Sequence, residues 1–273
     1  MFIKRLVSSI VIVLLALIFI IFGGNLLAGV LCIISYIGLF EFYRATGVIR
    51  EEKKINAMEV VGFIGVAAYY LVLISPCSEK FLLMTLIIIL IAFMFVYVFA
   101  FPKYHSNDLM AAFFGIVYVP VMLSFIYLTR NLPYGNYIVW LIFISSWIND
   151  TSAYCVGVLI GKHKLSPKLS PKKSIEGSIG GICGAALVAG LYGFFIVERV
   201  VDTQAVTWCF AVICAIGSVV AQIGDLAASA IKRNHDIKDY GTIIPGHGGI
   251  LDRFDSVIFT APMIYFLAII FVK

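Results

Sequence analysis

The stretch FLLMTLIIILIAFMFVYVFAF, Phe81 to Phe101, carries no charge, and only the hydroxyls of Thr85 and Tyr97 interrupt its apolar run. At 1.5 Å per residue a helix of this length covers about 30 Å, the thickness of a bilayer's hydrocarbon core. A buried core segment of a soluble domain is shorter, about 10 to 14 residues. This stretch therefore reads as a membrane span, and helices follow because a backbone in lipid must satisfy its own hydrogen bonds.

The same reading repeats outward along the chain. Spans are expected near Val7 to Phe22, Leu26 to Phe40 and Glu59 to Ile74 before the quoted stretch. Five more follow it, near Leu109 to Leu128, Tyr137 to Ile160, Gly177 to Val197, Val206 to Ser229 and Ser256 to Val272. The prediction is an all-α polytopic membrane protein with about nine transmembrane helices. Composition agrees: 62% of the 273 residues are hydrophobic and 13% charged, with mean hydropathy +1.05, far from the roughly half-apolar, quarter-charged soluble norm. Met1 to Arg5 ahead of the first span imitates a secretory signal, but span follows span and no small-residue cleavage site stands out, so a retained anchor is expected.

Charge sets the orientation. With a cytoplasmic N-terminus, 16 of the 20 basic residues fall on the inner side, leaving Lys80, Arg130, Arg199 and Lys273 outside. The net charge of +5 is then a topology signal and an attraction to membrane lipids; no nucleic-acid-binding module is visible, and no nucleic-acid partner is expected. The six cysteines show no CxxC spacing and read as small packing residues.

Polar residues are unevenly spread. Residues 1–130 read as an N-terminal membrane scaffold, with Glu41 and Glu59 at helix ends, and residues 131–273 as a catalytic membrane region with cytoplasmic loops 161–176 and 229–255. Ser218, Gln222, Asp225 and Ser229 are spaced to share one helix face, and Asp150 lies roughly 16 Å into its span. Charges so placed face a bundle interior or a wet cavity. Gly177, Gly180, Gly181 and Gly184 have small-xxx-small spacing and read as helix packing; Gly157 to Lys162 is too short for a phosphate-binding loop and ends in His163 instead of Ser or Thr.

The densest chemistry lies between Ser229 and Asp255. Lys232, Arg233, Lys238 and Arg253 can hold several phosphates, and Asp225, Asp239, Asp252 and Asp255 supply the hard oxygens that Mg²⁺ prefers. Pro245 to Gly249 places Gly246, Gly248 and Gly249 around His247, which allows a sharp turn or close backbone approach. The last helix begins near Asp252, and its N-terminal N–H groups are expected to favour phosphate. Singly, Asp252 and Asp255 suit helix caps and the basic residues suit orientation; together these groups point to a phosphate-and-metal site.

The pattern Ser229-x-Ile-Lys232-Arg233, four residues, Lys238-Asp239-x-Gly241, two residues, Ile244-Pro-x-His247-Gly248-Gly249-Ile-x-Asp252-Arg253-Phe-Asp255 resembles the hallmark of the phosphatidate cytidylyltransferases, the CDP-diacylglycerol synthases, with no departure at its fixed positions. Ser166 to Gly181, with Ser170-Pro-Lys172-Lys173-Ser174-Ile-Glu176-Gly, resembles that family's second loop. The resemblance covers most of the chain and is weak in the first five spans. It implies an integral membrane enzyme of phospholipid biosynthesis, its active site facing the cytoplasm, whose substrates are CTP and phosphatidic acid and whose cofactor is Mg²⁺. It makes Asp225 and Asp252 metal ligands, with Asp255 as a further candidate, and turns Lys172, Lys173, Lys232, Arg233 and Arg253 toward phosphates. The expected catalytic set is Asp225, Lys232, Arg233, His247, Asp252 and Arg253; Asp150, Lys172, Lys173, Ser174, Glu176, Lys238, Asp239, Gly248 and Gly249 are expected to bind substrate. A homodimer is left open. The alternatives are a secondary transporter using intramembrane Asp150 and Asp225, and a CTP-dependent polyprenol kinase that transfers the γ-phosphate.

Overall fold

The computed structural model describes residues 14–49, 56–76, 78–200, 206–243 and 248–272. Among these, helices dominate. In chain order they are α1 Gly24–Ala45, α2 Ala57–Leu73, α3 Ser78–Phe99, α4 Ser106–Arg130, α5 Gly135–Phe143, α6 Asn149–Ile160, α7 Ile175–Val197, α8 Val206–Asn234 and α9 Leu251–Phe271. Residues 14–22 are helical as well.

Six of these helices are long and apolar enough to cross a membrane: α1, α3 from Lys80, α4, α7, α8 and α9. α2 is apolar but shorter. The expected span Tyr137 to Ile160 is helical throughout, a π-helical turn, Ile144–Ile148, joining α5 to α6 without a break. The expected span Val7 to Phe22 lies outside the described residues as far as residue 13, and its remainder is helical. The quoted stretch falls mostly in α3, the least buried of the six within the protein.

Contacts divide the chain into two compact units, Met1–Tyr127 with His235–Arg253, and Leu128–Asn234 with Phe254–Lys273. In the first unit, α2 starts where Asn56 Oδ1 accepts from Glu59 N at 2.8 Å, an N-cap that satisfies one orphan donor. Tyr43 of α1 is fully buried and donates to Ala112 O at 2.8 Å, and its ring fills notches left by Gly62 and Gly115. Small residues admit the ring and a buried hydroxyl finds an acceptor, which is how helices associate where lipid offers no hydrophobic drive. Pro120 lacks an N–H, and the α4 ladder widens there into a π-helical turn, Val117–Val121.

In the second unit α6 packs on α7 and α7 on α8. The glycine spacing serves packing, as predicted: Gly180 faces Val156, Gly181 faces Asn149 and Gly184 faces Ser152. Gly157 likewise meets Gly177 across the α6–α7 contact.

Two features depart from the expected loops. Lys164–Ser166 (β1) and Ser170–Ser174 (β2) form an antiparallel hairpin in the segment expected as loop 161–176. The segment expected as loop 229–255 is helical through Asn234 and again from Leu251. Lys232 and Arg233 end the apolar run but suit the last turn of a helix, where cations meet the negative end of its dipole.

Candidate active site

In the second unit a cavity of about 580 Å³ opens among α6, β2, α7 and α8. Asp150, Lys172, Lys173, Ser174 and Asp225 all line it, five of the residues expected from sequence. Lys173 donates to Asp225 Oδ2, a charge-assisted bond from hairpin to helix. Ser174 ends β2 and caps α7, its Oγ accepting from Gly177 N at 3.1 Å. That cap starts α7 directly after Lys172 and Lys173, so the helix start fixes where both ammonium groups emerge.

The cavity floor is a hydrogen-bonded polar network. Gln222 Nε2 donates to Asn149 Oδ1 at 2.8 Å and to Ser178 O at 3.0 Å, and Ser178 Oγ donates to Gln222 Oε1. Asn149 Nδ2 reaches Asp150 Oδ1 at 3.3 Å. The π-helical turn ends immediately before Asn149, and such turns recur at functional sites because the extra residue redirects side chains.

Glu176 lies in the first turn of α7, where its carboxylate accepts from Lys162 N at 3.1 Å and His163 N at 3.2 Å and pairs with His163 Nδ1 at 2.6 Å. It was expected to bind substrate; its resolved partners are the entry to the hairpin. Asp255, near the start of α9, accepts from Ser256 N at 2.8 Å, and the charges of Asp225, Lys232 and Asp150 all act on it.

In the first unit the loop ahead of α9 is organised around two carboxylates. Asp252 Oδ2 accepts from Tyr240 N at 2.8 Å and Gly249 N at 2.9 Å, the second bond reaching back three residues as in a capping box. Glu41 of α1 accepts from Ile250 N at 3.1 Å and Leu251 N at 2.8 Å. Of the N–H groups at the start of α9, that of Leu251 is held by Glu41 and that of Arg253 by Ile250 O, while Asp252 and Glu41 hold Gly249 N and Ile250 N just ahead of the helix. Gly248, at φ 83°, makes the turn. The close backbone approach expected at the glycines occurs at Gly249, and the group approached is the Glu41 carboxylate.

Lys238, Asp239, Arg233 and Arg253 are exposed, whereas Lys232 is buried. His247 lies outside the described residues. No cluster of three or more His, Cys, Asp or Glu side chains able to hold a metal occurs among the described residues. Asp225 and Asp255, whose charges act on one another, offer carboxylate oxygens of the kind that Mg²⁺ takes one or two at a time.

The cytidylyltransferase family model matches residues 3–271. The chain belongs to that family. Among curated cytidylyltransferases, the phosphatidate cytidylyltransferase of Rickettsia bellii is 37% identical over 60% of this chain and 71% of its own length. That of Staphylococcus haemolyticus is 31% identical over 85% of this chain and 89% of its own. That of Staphylococcus saprophyticus is 36% identical over 61% of this chain and 62% of its own.

Several residues of this cytidylyltransferase escaped the sequence reading. Glu41 and Arg44 lie in the half read as scaffold, and Arg44 Nη2 donates to Tyr240 O at 2.9 Å. A glutamate near the end of an apolar span is a weak signal alone, since such residues often sit at the interface. Gln222 was placed on a polar face, but nothing in the sequence paired it with Asn149.

Proposed function

We infer that this protein transfers a cytidylyl group from CTP to phosphatidic acid, giving CDP-diacylglycerol and pyrophosphate. The observation that carries the reading is the match to relatives named phosphatidate cytidylyltransferase, one of them over 89% of its length.

The chemistry suits these residues. The phosphate of phosphatidic acid is already anionic at neutral pH, so one of its oxygens needs little base help to attack the α-phosphorus of CTP. A bond forms between that oxygen and the α-phosphorus. The bond from the α-phosphorus to the bridging oxygen breaks, and its electron pair leaves with pyrophosphate. The barrier is the meeting of anions, which positive groups and fixed geometry lower.

Lys172 and Lys173 at the cavity suit phosphate oxygens. Asp225 orients Lys173 and is, with Asp252 and Asp255, a candidate magnesium ligand. Mg²⁺, when bound, would neutralise triphosphate charge and stabilise charge building on the leaving group. The inner-side excess of basic residues supports a site facing the cytoplasm, where CTP would arrive while the acyl chains stay in the bilayer.

Incubating purified protein with phosphatidic acid, Mg²⁺ and CTP labelled separately at the α and γ positions tests the reading. Label from the α position should enter the lipid. Label from γ alone would indicate a kinase, and no lipid label would return the chain to a transport reading.

A further inference from the structure

We propose that Glu41 is a positioning residue for cytidylyl transfer, acting through Tyr240 and the residues 249–253 at the start of α9; the inference rests on the function proposed above. Glu41 is 1% exposed, and its two carboxylate oxygens divide between neighbouring amides, Oε1 taking Ile250 N and Oε2 taking Leu251 N. A buried carboxylate is destabilising unless hydrogen-bonded, so the charge and the loop conformation hold each other in place. The negative charge also lies at the positive end of the α9 dipole.

The grip extends to the other end of the loop. Arg44, three residues after Glu41 on α1, donates to Tyr240 O, while Asp252 takes Tyr240 N. The Tyr240 backbone is held at both its carbonyl and its N–H, and its side chain is 1% exposed. Lys238 and Asp239 lead directly into this anchored residue, and Asp252 and Arg253 follow the anchored Leu251. Residues expected to meet phosphate or metal thus start from backbone that α1 immobilises. Gly241 and Gly249 fit the same account, since a Cβ on either would collide with the Glu41 carboxylate.

The test uses purified full-length protein with phosphatidic acid, CTP and Mg²⁺. Wild-type transfer of α-label comes first; its absence overturns the proposed function, and the role of Glu41 in it falls with it. Given that activity, E41Q and E41A should lower kcat about 100-fold, the scale of an ångström-size misplacement, with the KM for CTP changed less than about threefold, because Glu41 holds the amides just before Asp252 and Arg253 of the expected catalytic set, while Lys238 and Asp239 precede a residue that Arg44 and Asp252 hold. E41D keeps the charge and should recover part of the loss. Amide exchange should quicken at Tyr240, Ile250 and Leu251 while the core of α7 stays protected. G249A, with Glu41 intact, should reproduce the kcat loss. Should E41A fail to fold, E41Q decides, since it removes an acceptor without opening a cavity. Wild-type kcat in folded E41Q overturns the proposal, as does a loss of protection spread evenly over all helices.

Discussion

Lys173 at the end of the β1–β2 hairpin donates to Asp225 on α8, joining residues 52 positions apart at the rim of one cavity. The ammonium is held by a group that is itself a candidate metal ligand, so the two should fail differently. Asp225→Asn should abolish Mg²⁺-dependent CDP-diacylglycerol formation, and Lys173→Ala should raise the KM for CTP about 10- to 100-fold, the loss of one hydrogen bond to a charged group at about 1.5–3 kcal/mol. Steady-state kinetics with thermal unfolding in detergent measures both. Wild-type activity in Asp225→Asn would remove it from the metal set.

Asp252 holds Tyr240 N and Gly249 N through one oxygen. Asp252→Asn keeps both bonds only with its amide oxygen in place of Oδ2, without the charge that strengthens them, and it sets an amide donor where Oδ1 stood. Activity should fall at least about 100-fold, and added Mg²⁺ should not restore it. Recovery of full activity at high Mg²⁺ would show that metal affinity alone was lost.

Glu176 secures the entry to the hairpin through Lys162 N, His163 N and the His163 ring. Glu176→Ala should loosen the strand that carries Lys172 and Lys173. The expected result is a raised KM for CTP with kcat within about threefold, since a flexible strand can still be ordered by its ligand at a binding cost. An unchanged KM would show that the hairpin holds its shape without this lock.

Gly181 packs on Asn149, where an added Cβ would lie 2.6 Å from Oδ1 and 2.8 Å from the backbone carbonyl. The carbonyl belongs to a helix and cannot move cheaply. Gly181→Ala should therefore destabilise the α6–α7 pair by about 1–3 kcal/mol, seen as a lower unfolding midpoint in detergent. It should also lower activity, because Asn149 lines the cavity and accepts from Gln222. An unchanged midpoint would mean that the helices separate without cost.

Part of the candidate site was legible because its residues cluster along the chain: Lys172, Lys173 and Ser174 are consecutive, and Asp225 shares a polar helix face with Gln222. The hairpin was not legible: Ser166 to Ser170 offers only Pro167 as a turn signal, and its strands are short and polar. The glycines before α9 show the same limit. Their freedom was evident, but the partner approached by Gly249 was Glu41, 208 residues away by sequence number.

The sequence by itself determined that this is a helical membrane protein, since uncharged runs such as Phe81 to Phe101 have no other stable form in lipid. It also showed where residue types suited to phosphate and metal concentrate, since that signal is local and needs only neighbouring residues. Tertiary structure alone decided which donors remained for substrate. Glu41 took the amides of Ile250 and Leu251, Asp252 those of Tyr240 and Gly249, and Asp225 set the place of Lys173 at the cavity. Those pairings come from helix packing, and packing brings together residues whose separation along the chain leaves no periodic trace.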